Sequence, residues 1–340
     1  MGTRTLSSPP RVLPLYARTV APLVPGASRL PWVGGGGGEI PDTVLSLPQA
    51  RAEPGRVAAY AAVCGFEPSE RLPASYPHVL AFPLHLALMA DGRFPFAAVG
   101  LVHVANTIAQ QRPIDPRERL ELKVRATPLR PHPRGRVFSL VSEARVEGEL
   151  VWCERSTMLR RDAASAAAGK GAASAGEGAA SEPGAPPRDA AGAEQEQELQ
   201  APGETGETEQ WSLAGDLGRR YAAVSGDRNP IHMHALTARP LGFPRAIAHG
   251  MWTKARCLAA LSRGPFAATL AGPFSVEVRF RRPILLPAQV AFASAPAARL
   301  DGVAGTAASF GVRDAREHTE HLVGRMQPIT DVTSALEASR

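Results

Sequence analysis

Tyr221-Ala-Ala-Val-Ser-Gly-Asp227-Arg-Asn-Pro-Ile-His232, followed by Leu241-Gly-Phe-Pro-Arg-Ala-Ile-Ala-His249-Gly250-Met251, is the stretch from which the rest of the chain can be read. Helix formers run to Val224, after which Ser225, Gly226, Asn229 and Pro230 end the helix and force a tight polar loop. The loop carries a carboxylate, Asp227, and an imidazole, His232, and a turn at Asn229-Pro230 can fold both onto one small volume. Such a pair can hold one water and move its proton. Each residue also has a plainer reading: His232 as an ordinary loop histidine, Asp227 as a turn cap, Gly250 as a helix entry chosen for packing. Their company favours chemistry. His249-Gly250 stands directly before an apolar run (Met251, Trp252, Ala255, Leu258, Ala259, Leu261), which predicts a buried helix whose first amides are free to donate to a developing oxyanion.

This long, ordered pattern resembles the signature of the R-specific enoyl-thioester hydratases, the MaoC-like dehydratases of the hotdog fold. The resemblance implies that Asp227 and His232 bind the hydrating water and act as an acid/base pair on a trans-2-enoyl thioester, giving a (3R)-hydroxyacyl thioester, or the reverse. It also implies that the Gly250 amide polarises the thioester carbonyl. Around these, Asn229 is expected to hold the loop, and His249, Ser225 and Phe82 to orient it or line the pocket. Neither a metal nor a redox cofactor is implied, and the acyl group rides on coenzyme A or an acyl carrier protein. Family members often carry a small hydroxyl residue one turn into the helix, where this chain has Ala255 or, nearby, Thr253. His232-Met-His234 looks like a metal clip but has no convincing third ligand in the sequence. The rival readings are a hotdog thioesterase, which needs a carboxylate on the central helix where Met251 to Ser262 has none, and a non-catalytic acyl-binding subunit.

Composition narrows the field. A chain of 340 residues is long enough for two domains, and its apolar content of 44% is that of a globular protein. The 38 Lys plus Arg exceed the 32 Asp plus Glu only mildly, which suits an anionic small molecule or carrier protein; no nucleic-acid motif accompanies the charge. Cys64, Cys153 and Cys257 lie too far apart for a disulfide framework or a cysteine-built zinc site. Pro9, Pro10, Pro14 and Pro22 interrupt every early apolar run, so no membrane insertion and a cytoplasmic location are expected.

The first half echoes the second. Tyr60-Ala-Ala-Val-Cys-Gly65 repeats Tyr221-Ala-Ala-Val-Ser-Gly226, Tyr76 to Leu84 lines up with Phe243 to Met251, and Arg112-Pro-Ile114 pairs with Arg282-Pro-Ile284. Three matches in one order point to an internal duplication. The copies differ where chemistry would sit: Phe66 stands opposite Asp227, and Phe82-Pro83 replaces His249-Gly250. The degenerate half is therefore expected to be non-catalytic, with Phe66 and Phe82 leaving room for an acyl tail.

Alternating apolar residues follow each central helix: Val102, Val104 and Ile108, then Leu120, Leu122 and Val124, then Phe138 and Leu140, with Val276, Val278, Phe280, Val290, Phe292, Ala308 and Phe310 in the second copy. The expected class is α+β, a double hotdog with two antiparallel sheets, each wrapped around a helix and joined edge to edge as an internal pseudo-dimer, open to further homo-oligomerisation. Residues 1–42, rich in Pro, Gly and Arg, read as a flexible lead-in; 43–162 as the degenerate hotdog; 163–209, rich in Ala, Gly and Glu, as a disordered linker; 210–327 as the catalytic hotdog; and 328–340 as a loose tail. Arg279, Arg281 and Arg282 could meet carrier phosphates, although such residues are more often a solvated strand face.

Overall fold

The computed structural model describes residues 2–20, 39–96, 98–161, 199, 202, 207–297 and 306–337. Strand β1 (Gly2–Thr5) and helix α1 (Val12–Val20) precede the first repeat, which runs β2 (Thr43–Ala50), α2 (Pro54–Cys64), α3 (Tyr76–Met89), β3 (Val102–Gln110), β4 (Leu120–Ala126), β5 (Arg130–His132), β6 (Gly135–Val146) and β7 (Glu149–Arg161). The second repeat runs β8 (Glu207–Leu213), α4 (Leu217–Ser225), α5 (Gly250–Leu261), β9 (Phe274–Phe280), β10 (Ala288–Ala297), β11 (Ala307–Asp314) and β12 (Glu320–Pro328), and helix α6 (Val332–Glu337) follows. Every residue expected to alternate along a strand lies in one of these strands.

The two repeats have the same strand order. Along the sheet it is β2-β4-β6-β7-β3 and then, mirrored, β9-β12-β11-β10-β8, with β1 added beside β2 and β5 beside β6. This is a double hotdog. The two sheets meet edge to edge as expected: antiparallel pairing of β3 with β9, from Ala105↔Arg279 to Gln110↔Phe274, makes them one twelve-stranded sheet. Fusion satisfies the two strand edges that would otherwise lie exposed at the middle of the molecule.

Helices α3 and α5 are the cores around which the halves curl. Leu84, Leu86 and Leu88 of the first and Met251, Ala255, Cys257 and Leu258 of the second are buried, and each large apolar side chain so buried contributes about 1.5–3 kcal/mol. Helices α2 and α4 stop alike, at Gly65 and Gly226, whose φ of 77° and 80° is the left-handed conformation that glycine takes without a Cβ penalty. Lys254, on α5 and fully buried, reaches across the seam: its ammonium donates to the Asn106 side chain and carbonyl in β3 and to the Val276 carbonyl in β9.

Several expectations are corrected. Of the expected lead-in, residues 21–38 lie outside the described ones, but residues 2–20 are held: β1 pairs in parallel with β2, α1 packs on α3, and Leu6, Val12, Leu15 and Tyr16 pack on the core. The tail is held too, with Val332 buried against Ala109 and Cys153. The expected linker lies largely outside the described residues, but its last residues, Glu207 to Glu209, already belong to β8. Phe82-Pro83 sits inside α3, which begins at Tyr76, so the first repeat has no helix entry where the second has His249-Gly250. No helix among the described residues is long and apolar enough to cross a membrane.

Candidate active site

Helix α4 delivers Asp227 and a single further turn delivers His232. Ser225 closes α4 by donating to the Tyr221 carbonyl at 2.9 Å and accepting the Asp227 amide at 3.2 Å. Asn229 then caps a one-turn helix, Pro230–Met233, its side chain accepting the Ile231 amide at 3.4 Å. What the sequence suggests as a turn is thus a capped helical turn, and it buries His232. A glycine is required at 218, because a Cβ there would collide with the His232 carbonyl. The seating of His232 against α4 depends on that close approach.

The hydrogen bonds of His232 define its protonation. Its Nδ1 lies 2.8 Å from the Ile247 carbonyl, which can only accept, so Nδ1 carries the proton and Nε2 keeps a lone pair. The Nε2 of His249 likewise donates to the Asp227 carbonyl at 3.1 Å. The two rings are stacked, with centroids 3.7 Å apart. Burial lowers the His232 pKa below its usual value, against the pull of Asp227. Burial also pushes His249 down to about 3, with His232 as the second cause. Both imidazoles are therefore neutral near pH 7.

Asp227 is charged. Burial pushes its carboxyl up, but His249, His232, the Tyr16 phenol and the Asn229 amide more than offset this and hold it below the usual carboxylate range. Its Oδ1 accepts from Tyr16 at 2.7 Å and from the Asn229 amide at 3.1 Å, and Oδ2 lies 3.8 Å from His249 Nε2. Ligand-type atoms of Asp227, His232 and His249 all lie within 4.8 Å of one another, a spacing one water can bridge. The same cluster has metal-ligand residue types, and one nitrogen of each imidazole is engaged by a backbone carbonyl, leaving the other with a lone pair. His234 is not part of it; it caps the following turn by accepting the Leu236 amide at 3.2 Å.

Gly250 opens α5, so its amide and the next have no carbonyl one turn back within the helix. Thr253, one turn in, spends its hydroxyl on the His249 carbonyl at 3.1 Å. Asp227, Asn229, His232, His249, Gly250 and Phe82 all line one cavity of about 170 Å³, several times the share of a water. Phe66, expected beside Phe82 along an acyl tail, faces a different groove, beside Leu258 and Leu270. Arg281 and Arg282 line the cavity, joined from the first half by Arg134 and Arg161, whereas Arg279 sits beside Glu277 at 3.5 Å.

Comparison with known proteins follows the same lines. A family model described as MaoC like domain matches residues 197–298. The 3-hydroxyacyl-thioester dehydratase X of Mycobacterium tuberculosis is 35% identical over 251 residues, 74% of this chain and 79% of that protein. The crystal structure of HtdX from Mycobacterium tuberculosis is similar with a TM-score of 0.64 at 29% identity, over 84% of this chain and 100% of that one. A MaoC-like dehydratase from Phytophthora capsici, only 16% identical, shares the fold with a TM-score of 0.62 over 86% of this chain and 96% of that one.

Proposed function

The chain belongs to the MaoC-like dehydratase family, and we propose that within it Asp227, His232 and the Gly250 amide carry the reversible addition of water to a trans-2-enoyl thioester. The reaction class is hydration and dehydration of an acyl thioester in fatty-acyl metabolism, a hydro-lyase activity.

The observation that carries the assignment to residues is the complementary state of the pair: a carboxylate with one oxygen, Oδ1, fully engaged, facing an imidazole whose proton is committed to Ile247. A water between Asp227 Oδ2 and His232 Nε2 meets two acceptors, so its oxygen lone pairs point away from both, toward substrate. As that oxygen bonds to C3, one proton passes to the pair; the double-bond electrons move toward the carbonyl, and one proton is returned to C2 from the same face. Water adds, and nothing else is consumed. The negative charge that develops on the thioester oxygen is met by the Gly250 amide and the positive end of α5. Neither residue is assigned sole acid or base, because a pair this close shares its protons.

The arginines at 134, 161, 281 and 282 supply positive charge for the phosphate next to a pantetheine arm, the group common to coenzyme A and carrier proteins. The test is to incubate the full chain with crotonyl-CoA and resolve the product's stereochemistry. Formation of (3R)-hydroxybutyryl-CoA supports the reading. A (3S) product, or free coenzyme A from thioester cleavage, contradicts it.

A further inference from the structure

The exposed residues that line the cavity are Arg134, Arg281, Arg282 and Pro283, and they mark where it opens. All four lie at one end of the sheet. Antiparallel pairing brings the start of β6, the end of β7, the start of β3 and the end of β9 side by side, through Gly135↔Arg161, Val102↔Leu159 and Ala105↔Arg279. From β6 to β9 is three strand spacings, about 14 Å.

Positive charge extends past the opening. Arg136 and Arg160 stand directly opposite each other in β6 and β7, both exposed, and neither lines the cavity. Like charges so placed weaken a strand pair. Arg161, partly buried at the opening, has its pKa lowered by burial and then by Arg134. Among the described residues none of Arg134, Arg136, Arg160 and Arg161 meets a carboxylate, whereas Arg93, Arg112, Arg117 and Arg145 in the same half each hold one at 2.8 to 3.1 Å. The fold alone gives no reason to gather four unpaired cations at one sheet end.

A second copy of this chain would bring like charge to this face and be repelled. Nucleic acid would suit the charge, but nothing about it explains why the charge begins at the opening of a thioester cavity. An acidic protein that delivers a thioester into that opening accounts for both. We propose that the face running from Arg136 and Arg160 to the cavity opening docks an acidic acyl carrier protein, which inserts its thioester on a phosphopantetheine arm. The inference rests on the thioester hydratase reading above and names the carrier which that reading leaves open. It also gives the degenerate half a part in the reaction, since these four arginines all belong to it.

The experiment compares crotonyl groups carried on coenzyme A and on an acidic acyl carrier protein, hydrated by the full chain and by its Arg136→Glu/Arg160→Glu variant. The expected result is that the variant lowers the ratio of carrier-protein to coenzyme A kcat/KM by about tenfold or more. Because the readout is a ratio within one protein, a general loss of activity divides out. Should the double variant not fold, Arg136→Ala is read the same way, with a smaller fall. A ratio that survives charge reversal overturns this inference alone, and so does an equal fall on both carriers, which would assign the face to the phosphates of coenzyme A. An unchanged ratio beside lost affinity for a duplex oligonucleotide would assign it to nucleic acid instead. Failure of the wild type to hydrate crotonyl or longer enoyl groups on either carrier overturns the hydratase reading as well.

Discussion

The phenol of Tyr16 donates to Asp227 Oδ1 at 2.7 Å and accepts the Arg228 amide at 2.9 Å. An element outside both repeats therefore holds one oxygen of the carboxylate on which the proposed chemistry depends. A hydrogen bond to the charged form lowers the pKa of a carboxyl, and Tyr16 is among the groups holding Asp227 below its usual range.

Tyr16→Phe removes that bond and leaves the ring. The Asp227 pKa should rise, so the acid limb of the kcat/KM profile should move to higher pH, with a loss of about threefold to tenfold at its old position. In the wild type, Asp227 and His232 are both shifted down, so activity should persist below pH 6.5, the usual value for a histidine. A pH-rate series on both proteins checks this. An unmoved acid limb would reduce Tyr16 to packing.

Stability should fall as the solution is acidified from pH 6.5 toward 3. His85, His103 and His249 are each held near 3 by burial, against 6.5 when unfolded. Within that window the unfolded chain binds protons the folded one does not, so stability rises with pH and is lost as pH falls. Glu154, near 2 when folded and 4.5 when unfolded, acts with the same sign lower down. Urea unfolding at stepped pH measures the slope, and His85→Gln should lessen it.

The seam predicts a different sensitivity. Asn106 accepts the buried Lys254 ammonium and donates to both Glu154 and Ser156. Asn106→Ala strips the ionised Glu154 and the Lys254 amine, whose pKa burial lowers to about 7, of a partner and should cost about 3 kcal/mol. Double replacement, with Lys254→Met, should recover part of it. Thermal denaturation of the single and double variants compares the two.

Gly250 gives a test aimed at catalysis. A Cβ there would sit 3.0 Å from the Phe280 ring, between two residues that line the cavity, on the proposed path of the thioester to the amide. Gly250→Ala should lower kcat about tenfold or more, while the melting temperature moves little because the obstacle is the tip of one side chain. Steady-state rates beside a melting curve separate the two effects.

How much of this was legible in the sequence depended on whether the contact was local. Asp227, Asn229 and His232 fall within six residues, and breakers between them announce the turn that brings them together. The duplication was visible because Tyr60 and Tyr221 lie on equivalent helices, ended by the same left-handed glycine. Tyr16 was not legible: it is separated from Asp227 by 211 positions in a stretch whose prolines and glycines suggest a loose chain. The same holds for His103 and Glu154, which read as ordinary strand residues until β3 and β7 pair. Nor was the fully buried Lys254 legible, because a lysine on a helix gives no sign that backbone carbonyls await its ammonium.

If Asp227 and His232 act as one unit, a double-mutant cycle on crotonyl-CoA hydration reveals it as non-additive losses. Loss of enoyl-thioester absorbance would be followed for wild type, Asp227→Asn, His232→Gln and the double variant, each checked for native melting. Each single change is expected to cost about 10²–10⁴ in rate, and the double change no more than either. Additive losses, or a single variant retaining near wild-type hydration, would contradict it.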